Sequence, residues 1–560
     1  MRLKKRETDF RAISRDSMRR DFNRVQTYHQ KGKRPEIKKQ PELNAVRRIA
    51  FISENSSYYK QRFLIVGKLV RIIKPIETGG FICEFVYDAD RRALNDNAGW
   101  SDMKKDLFAL KGTICYSKNQ KELVFAENSY AVCENGLCAG VFSQLPEEYK
   151  DIPVKDMGDR LIIPGFTDLH LHAPQYAYRG TGMDLELLDW LNTITFPQEA
   201  KYADLSYAKK AYSIFVDDLK HSFTTRACIF ATLHRPATEL LMDMLEESGL
   251  ATMVGKVNMD RNGAPELQEK SAQASAQDTR QWLEEIKGRY DHTYPILTPR
   301  FTPSCTDELM TELGKIQREY HLPVQSHLSE NFGEIAWVKE LCPTSRFYGD
   351  AYDMFGLFGT KPAFNTNEAD FASASGLNTT DNTAAHISSD GASVCPTIMA
   401  HCVHSTDEEI QMIKDQGVYI AHCPESNTDI ASGIAPVRRY LDMGLHVGLG
   451  TDVAGGFSLS MFRAMADAIQ VSKLRWRLMD QTQAPVTLEE AFYMATIGGG
   501  SFFGKVGSFE KGYEFDAMIL DDSNIRHPQE ISTRDRLERL VYLSDDRNLV
   551  GKYVQGRKVI

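Results

Sequence analysis

PGFTDLHLH, residues Pro164 to His172, follows the apolar run Leu161-Ile162-Ile163 and places two histidines two positions apart. Side chains alternate faces along a strand, so His170 and His172 share one face and can reach one metal ion. Leu169 and Leu171 are then expected on the other face, in the apolar layer that a barrel strand presents beneath covering helices. Two surface or hydrogen-bonded histidines also produce such a pair, so other stretches must supply further ligands.

Downstream the chain alternates between strand-like and helix-like patterns. TTRACIFAT, ATMVGKVNMD, LPVQSHLSEN, CPTIMAHCVHS, GVYIAHCPESN and LHVGLGTDVAGG read as strands. Between them ADLSYAKKAYSIFVDDLKHS, ATELLMDMLEESG, DTRQWLEEIKGRY, TDELMTELGKIQREY and TDEEIQMIKDQ have the 3.6-residue spacing of amphipathic helices. This alternation predicts a parallel sheet covered by helices. Upstream, from Arg62 to about 162, short β-rich runs broken by turn residues predict a small β-sandwich-like unit, and the strand pattern returns after Gly507. The expected organisation is a basic extension over 1–61, a barrel over 163–506, and one accessory sandwich built from 62–162 and 507–560. The polar, aperiodic stretch 365–394 reads as a flexible insertion.

Four polar residues fall where these strands end: His327, His401, His422 and Asp452. In a (β/α)8 barrel the strand C-termini converge on one face, so residues far apart in sequence can meet there. Histidines and an aspartate, with water, suit one borderline-soft divalent ion such as Zn²⁺. Any one of the histidines alone reads equally as a satisfied core residue; the set does not. Glu330, three residues after His327, is placed to carry a proton beside such an ion, its alternative role being a helix N-terminal carboxylate with Ser329 as cap.

Composition narrows the class. The chain has 560 residues, 42% hydrophobic and 26% charged, with mean hydropathy −0.38, values of a globular enzyme of more than one domain. No apolar run of membrane-spanning length occurs, and MRLKKRETDF lacks the apolar core of a secretion signal. Ten scattered cysteines without CxxC spacing read as reduced thiols of a cytoplasmic protein. Residues 1–50 hold 16 Lys and Arg against 6 Asp and Glu, a surplus of 10 that leaves −19 of the net −9 on the remainder. An acidic body is no duplex binder, and the arm, itself dotted with acids, reads as a solvated extension. GGSFFGKV (499–506) mimics a phosphate loop, but Val506 replaces the metal-binding hydroxyl and the segment follows a helix, so it reads as a Gly-rich helix exit. The HxE and PCxxC spacing of cytidine-deaminase-type zinc sites is absent.

Taken together with HAPQYAYRGTGMDLELLDWLNTITFPQE (172–199), TPRFTPSC (298–305), QSHLSEN (325–331), AHCPESN (421–427) and GLGTDVAGGFSLSM (448–461), the chain resembles the amidohydrolase superfamily and, within it, the guanine deaminases over roughly 62–560. The resemblance implies one Zn²⁺ per subunit held by His170, His172, His327 and Asp452. It implies Glu330 and Asp452 as proton carriers, with His401 polarising the attacked centre. The substrate contacts it implies are His172, Gln175, Arg300, Phe301, His327, Glu330 and Asp452, an amide, a guanidinium and a ring suited to the edge and face of a purine. A cytoplasmic homodimer acting on guanine and water, without nucleic acid or membrane, is the implied setting. His404 and His422 receive no role. Two alternatives stay open: another amidohydrolase substrate, such as a different purine, pterin or triazine, and a non-catalytic assembly protein on the same fold.

Overall fold

The computed structural model describes residues 107–359 and 396–560, together with the backbone of short strands at Arg47–Ser53, Val70–Ile76, Gly80–Val86, His386–Ile387 and Ser393–Val394. The rest of the basic arm and of the 365–394 insertion lies outside the described residues. The chain divides into two units, Met1–Met103 and Lys104–Ile560. The first holds an antiparallel sheet with Gly80–Val86 between Arg47–Ser53 and Val70–Ile76. The strand RRIAFIS thus lies inside the stretch read from sequence as an extension.

The second unit is α/β. Phe166–His172, Thr224–Phe230, Ala251–Gly255 and Thr293–Pro295 pair in parallel, in chain order. Val324–Leu328, Thr397–His401, Tyr419–His422 and His446–Leu449 do the same. A parallel bridge between Leu297 and Val324 joins the two sets on one side. On the other, Asp452 N–H donates to His170 O and His172 N–H to Val453 O, both at 2.8 Å.

Several of the helices between these strands start at side-chain caps. Asp204, Thr306 and Thr406 each accept a backbone N–H from the first turn, and Gly249 and Gly417 end their helices with φ of 81° and 66°. Asp307–Tyr320 shows the principle: Leu309, Met310, Leu313 and Ile316 are buried on one stripe while the rest is polar. Each such side chain contributes roughly 1.5–3 kcal/mol on leaving water.

A seven-stranded sheet draws on both ends of the unit. Its centre is Val154–Pro164, parallel to Leu107–Asn119 on one side and antiparallel to Ala517–Leu520 on the other, with Ile162 opposite Ile519. Phe108, Leu110, Ile114, Ile162, Phe509, Phe515 and Ile519 form its own apolar cluster. Gly165 then passes the chain directly into Phe166–His172. A Cβ there would lie 2.1 Å from Thr225 Oγ1, so only glycine allows this approach.

One expectation needs correcting. Pairing with Thr224–Phe230 shifts register between Asp168 and Leu171, so strict alternation does not hold along the strand. Leu169 and Leu171 are both buried but in different clusters: Leu169 with Cys228, Met253, Ile296, Ile398, Ala400 and Ala421, Leu171 with the larger helix-covered core. An irregular register re-aims side chains, which a period-two reading of the sequence cannot anticipate.

Candidate active site

Each expected metal ligand, and His401 beside them, sits at or just beyond the C-terminal end of a parallel strand. His170 and His172 end one strand, His327 is the penultimate residue of Val324–Leu328, His401 ends Thr397–His401, and Asp452 follows His446–Leu449 by three residues. The structure brings them together. Asp452 Oδ1 lies 3.1 Å from His170 Nε2 and 3.4 Å from His172 Nε2, and His327 Nε2 lies 3.2 Å from His172 Nε2. His401 Nε2 is 3.7 Å from Asp452 Oδ2. Two sets, His170 with His172 and His327, and His170 with His401 and Asp452, have one donor atom each within 4.8 Å of one another.

These groups are buried, and that decides their protonation. Burial lowers His172 to about 4, opposed by Asp452, and carries His327 well below its usual value with its histidine neighbours adding to the effect. Burial works against the Asp452 anion, but the facing imidazoles hold its carboxyl well below the ordinary range. His327 Nδ1 is 2.6 Å from Arg300 O, so it carries the proton and leaves Nε2 as a lone pair. Among the described residues His170 Nδ1 and His401 Nε2 make no hydrogen bond, and His170 Nε2 has the Asp452 carboxylate at 3.1 Å. Buried imidazole nitrogens gathered beside an ionised carboxylate fit a divalent cation.

Behind the strand, Asp168 fixes this geometry. Its Oδ1 accepts the N–H of His170 at 3.2 Å and of Thr451 at 3.0 Å, and its Oδ2 accepts the Thr451 hydroxyl. Burial pushes its carboxyl up to about 7. The sequence reading passed over Asp168, although it shares the i, i+2, i+4 pattern with His170 and His172.

Gln175, Arg300, Phe301 and Glu330 line a cavity of about 40 Å³ together with His172, His327, His401, Asp452, Leu187, Trp190 and Glu334. Glu199 organises one wall and was also passed over. Its Oε2 accepts Arg300 Nη1 at 2.6 Å, and its Oε1 accepts Arg300 Nη2 at 3.1 Å and Gln175 Nε2 at 2.8 Å. Gln175 Oε1 accepts Ala454 N–H at 3.2 Å. Gln175 and Arg300 each carry further N–H groups that take part in no hydrogen bond among the described residues. Phe301, 7% exposed, packs edge-on to Trp337.

Glu330 is 3% exposed. Burial and the Asp452 charge push its carboxyl well above the ordinary range, with a Ser432 hydrogen bond opposing. Its Oε1 lies 3.5 Å from His401 Nδ1. His422 is buried nearby and lowered to about 3 by burial and by His401; the structure gives it no contact with the cavity.

Residues 161–559 match the Amidohydrolase family. The chain is similar to the guanine deaminase of Dictyostelium discoideum, 38% identical over 414 residues that cover 72% of this chain and 84% of that one. The guanine deaminase of Homo sapiens is 33% identical over 425 residues, 74% of this chain and 86% of that one. Among solved structures, guanine deaminase from C. acetobutylicum with bound guanine is 46% identical and superposes with a TM-score of 0.73 over 81% of this chain and all of that one. With the His/Asp cluster, the acidic residue beside it and matches of this extent, the chain belongs to the amidohydrolase family and groups within it with the guanine deaminases.

Proposed function

We propose that this protein is a zinc-dependent aminohydrolase that converts guanine and water to xanthine and ammonia. The observation that carries this reading is that Gln175 and Arg300, both held by Glu199, line one cavity with His172, His327 and Asp452 of the His/Asp cluster. The guanine-bound structure of the similar C. acetobutylicum protein supports it. Guanine offers carbonyl and ring-nitrogen acceptors, which the remaining N–H groups of Gln175 and Arg300 can satisfy, while Phe301 provides an apolar face.

His170, His172, His327 and Asp452 would hold Zn²⁺, which when bound lowers the pKa of a water to about 7. Every other step falls to the protein. Glu330 takes one proton of the water as its oxygen adds to C2 and delivers it to the ring nitrogen, and the second proton, from the new C2 hydroxyl, passes to the amino group. The C2–O bond forms, the C2–N bond breaks, and ammonia leaves. Asp452 shares the proton, and His401, 3.5 Å from Glu330, polarises the attacked centre.

The fold reading completes the proposal. The two parallel sets form one (β/α)8 barrel over 163–506, supported by the Leu297–Val324 bridge and the Asp452–His170 and His172–Val453 hydrogen bonds. The seven-stranded sheet, drawn from 107–164 and 517–558, belongs to an accessory domain of 62–162 and 507–560. The reading carries with it a cytoplasmic homodimer, as the family resemblance implies. Among the described residues no helix is long and apolar enough to cross a membrane.

The test is Glu330→Gln, assayed for xanthine and ammonia. Loss of turnover by roughly 10²–10⁴-fold with zinc content unchanged is expected; full turnover would remove Glu330 from the mechanism. Wild-type protein that binds zinc, turns over another heterocycle and leaves guanine intact would move the assignment to a different substrate.

A further inference from the structure

Glu330 is held from a turn that is distant in sequence. Ser432 Oγ donates to Glu330 Oε1 at 3.0 Å, and among the described residues no hydrogen bond reaches Oε2. Ser432 lies between the short helices Pro424–Asp429 and Val437–Asp442, and is 3% exposed. Ala431 on one side has φ 58° and Gly433 on the other φ 123°. An L-residue in the left-handed region is disfavoured, so the surroundings must specify this path.

The surroundings are visible. His404 Nε2 lies 2.7 Å from Ser432 O, and His404 N–H donates to Ser329 O at 2.9 Å, so His404 ties the turn to the residue preceding Glu330. A Cβ on Gly433 would meet Val403 at 3.3 Å and the His404 ring at 3.4 Å. Gly433 N–H donates to Asn427 O at 2.9 Å. Asn427 Oδ1 in turn lies 2.9 Å from His401 Nδ1. One turn therefore touches both groups that flank the reacting centre, Glu330 through Ser432 and His401 through Asn427.

We propose that Ser432 is a positioning residue that anchors Glu330 Oε1 and leaves Oε2 as the oxygen that carries the proton, with His404 anchoring Ser432. The inference rests on Glu330 being the proton carrier. A carboxylate free to rotate about its last bond presents either oxygen at varying angle, and proton transfer depends on that geometry. A hydroxyl donated to one oxygen removes the freedom. The same anchoring gives His404, an imidazole with no role readable from sequence, a structural reason to be histidine: its ring nitrogen must donate to a carbonyl.

The experiment is a cycle on the zinc-loaded full chain: wild type, Ser432→Ala, Ser432→Thr, Glu330→Gln and the double variant Glu330→Gln with Ser432→Ala. Zinc content and melting temperature are measured beside kcat and KM for guanine. Ser432→Ala is expected to lower kcat by roughly 10- to 100-fold, the range for a hydrogen bond to a charged group, with KM, zinc content and melting temperature close to wild type. Ser432→Thr, which keeps the hydroxyl, should recover most of it. In the Glu330→Gln background the serine substitution should cost no more than about twofold, because coupled residues are not additive. Wild-type kcat in Ser432→Ala, or the same fractional loss with and without Glu330, overturns the positioning role. Full activity of Glu330→Gln instead overturns the parent reading. His404→Ala should reproduce the Ser432→Ala kcat effect in weaker form, and an unchanged kcat there would remove His404 from the chain of support.

Discussion

Glu199 is 2% exposed and accepts three N–H bonds from Arg300 and Gln175. Burial works against its charge, and the Arg300 guanidinium overcomes that, holding the carboxyl below its usual value. Removing one member of such a pair leaves the other charged and unpaired, which costs about 3–5 kcal/mol. Glu199→Gln is therefore expected to lower the melting temperature and raise KM for guanine, since Arg300 loses its orientation. Thermal denaturation and steady-state kinetics of the one variant check both; an unchanged KM would show that the pair serves stability alone. The string ending in Glu199 was legible as a motif, yet this residue was not singled out within it. Its partner lies 101 positions away, and no local pattern marks an isolated glutamate as a counter-ion.

The element that most constrains the site is the segment leading into the short helix Asp350–Asp353. Tyr352 OH donates to His327 O at 2.8 Å and accepts Thr302 N–H at 3.2 Å. Tyr348 OH donates to Glu334 Oε1 at 2.8 Å, while Glu334 Oε2 accepts the N–H groups of Glu330 and Asn331. Glu409 accepts Gly349 N–H and the Ser329 hydroxyl, both at 2.7 Å. The loop leaving the His327 strand, with Ser329 at φ 47°, is thus pinned by two buried carboxylates and two phenols. Tyr352→Phe keeps the ring and deletes the bonds, leaving His327 O and Thr302 N–H short of a partner. A loss of about 1–3 kcal/mol in stability is expected, with zinc affinity reduced as the ligand strand loosens; denaturant melts and a chelator competition measure the two. Unchanged zinc affinity would separate this segment from the metal site. None of these bonds was readable in advance, because the stretch SRFYGDAYD carries no recognised motif and its partners come from three other elements.

Across the whole molecule, two properties depend on burial. Chelating the metal should leave His170, His172, His327 and Asp452 packed against one another without their common partner. We expect activity to fall to background and the melting temperature to drop, both restored by Zn²⁺; a melting temperature indifferent to chelator would mean that the cluster needs no cation. The second is Lys552, wholly buried, whose ammonium donates to Lys220 O at 2.7 Å and Thr224 O at 2.8 Å. Burial lowers it to about 7, against roughly 10.4 in an unfolded chain. Between those values the unfolded state binds more protons, so this group makes stability rise with pH across that window and contributes no slope below it. Lys552→Met removes the titration. Its melting temperature relative to wild type should be highest near pH 6 and decline toward pH 10, and a difference that does not vary with pH would contradict the buried charge.

What the sequence determined by itself is what is written in local period and local spacing. The strand-helix alternation, the HxH pair and the polar residues closing apolar strands at 327, 401 and 452 are short-range patterns, and each survives as an element or a strand end in the structure. The α/β class follows from them, while the choice of ligands among the strand-end residues is what the family resemblance implies. Only the tertiary structure decided the support: the register shift that separates Leu169 from Leu171, the Asp168–Thr451 bonds, the Glu199 counter-ion, the tyrosine brace and the Ser432 anchor. Each is a contact between residues that lie far apart in the chain or that a strand irregularity has turned. A hydrogen bond of this kind depends on where two backbones cross, and that crossing is set by the packing of the whole core rather than by the residues that make the bond.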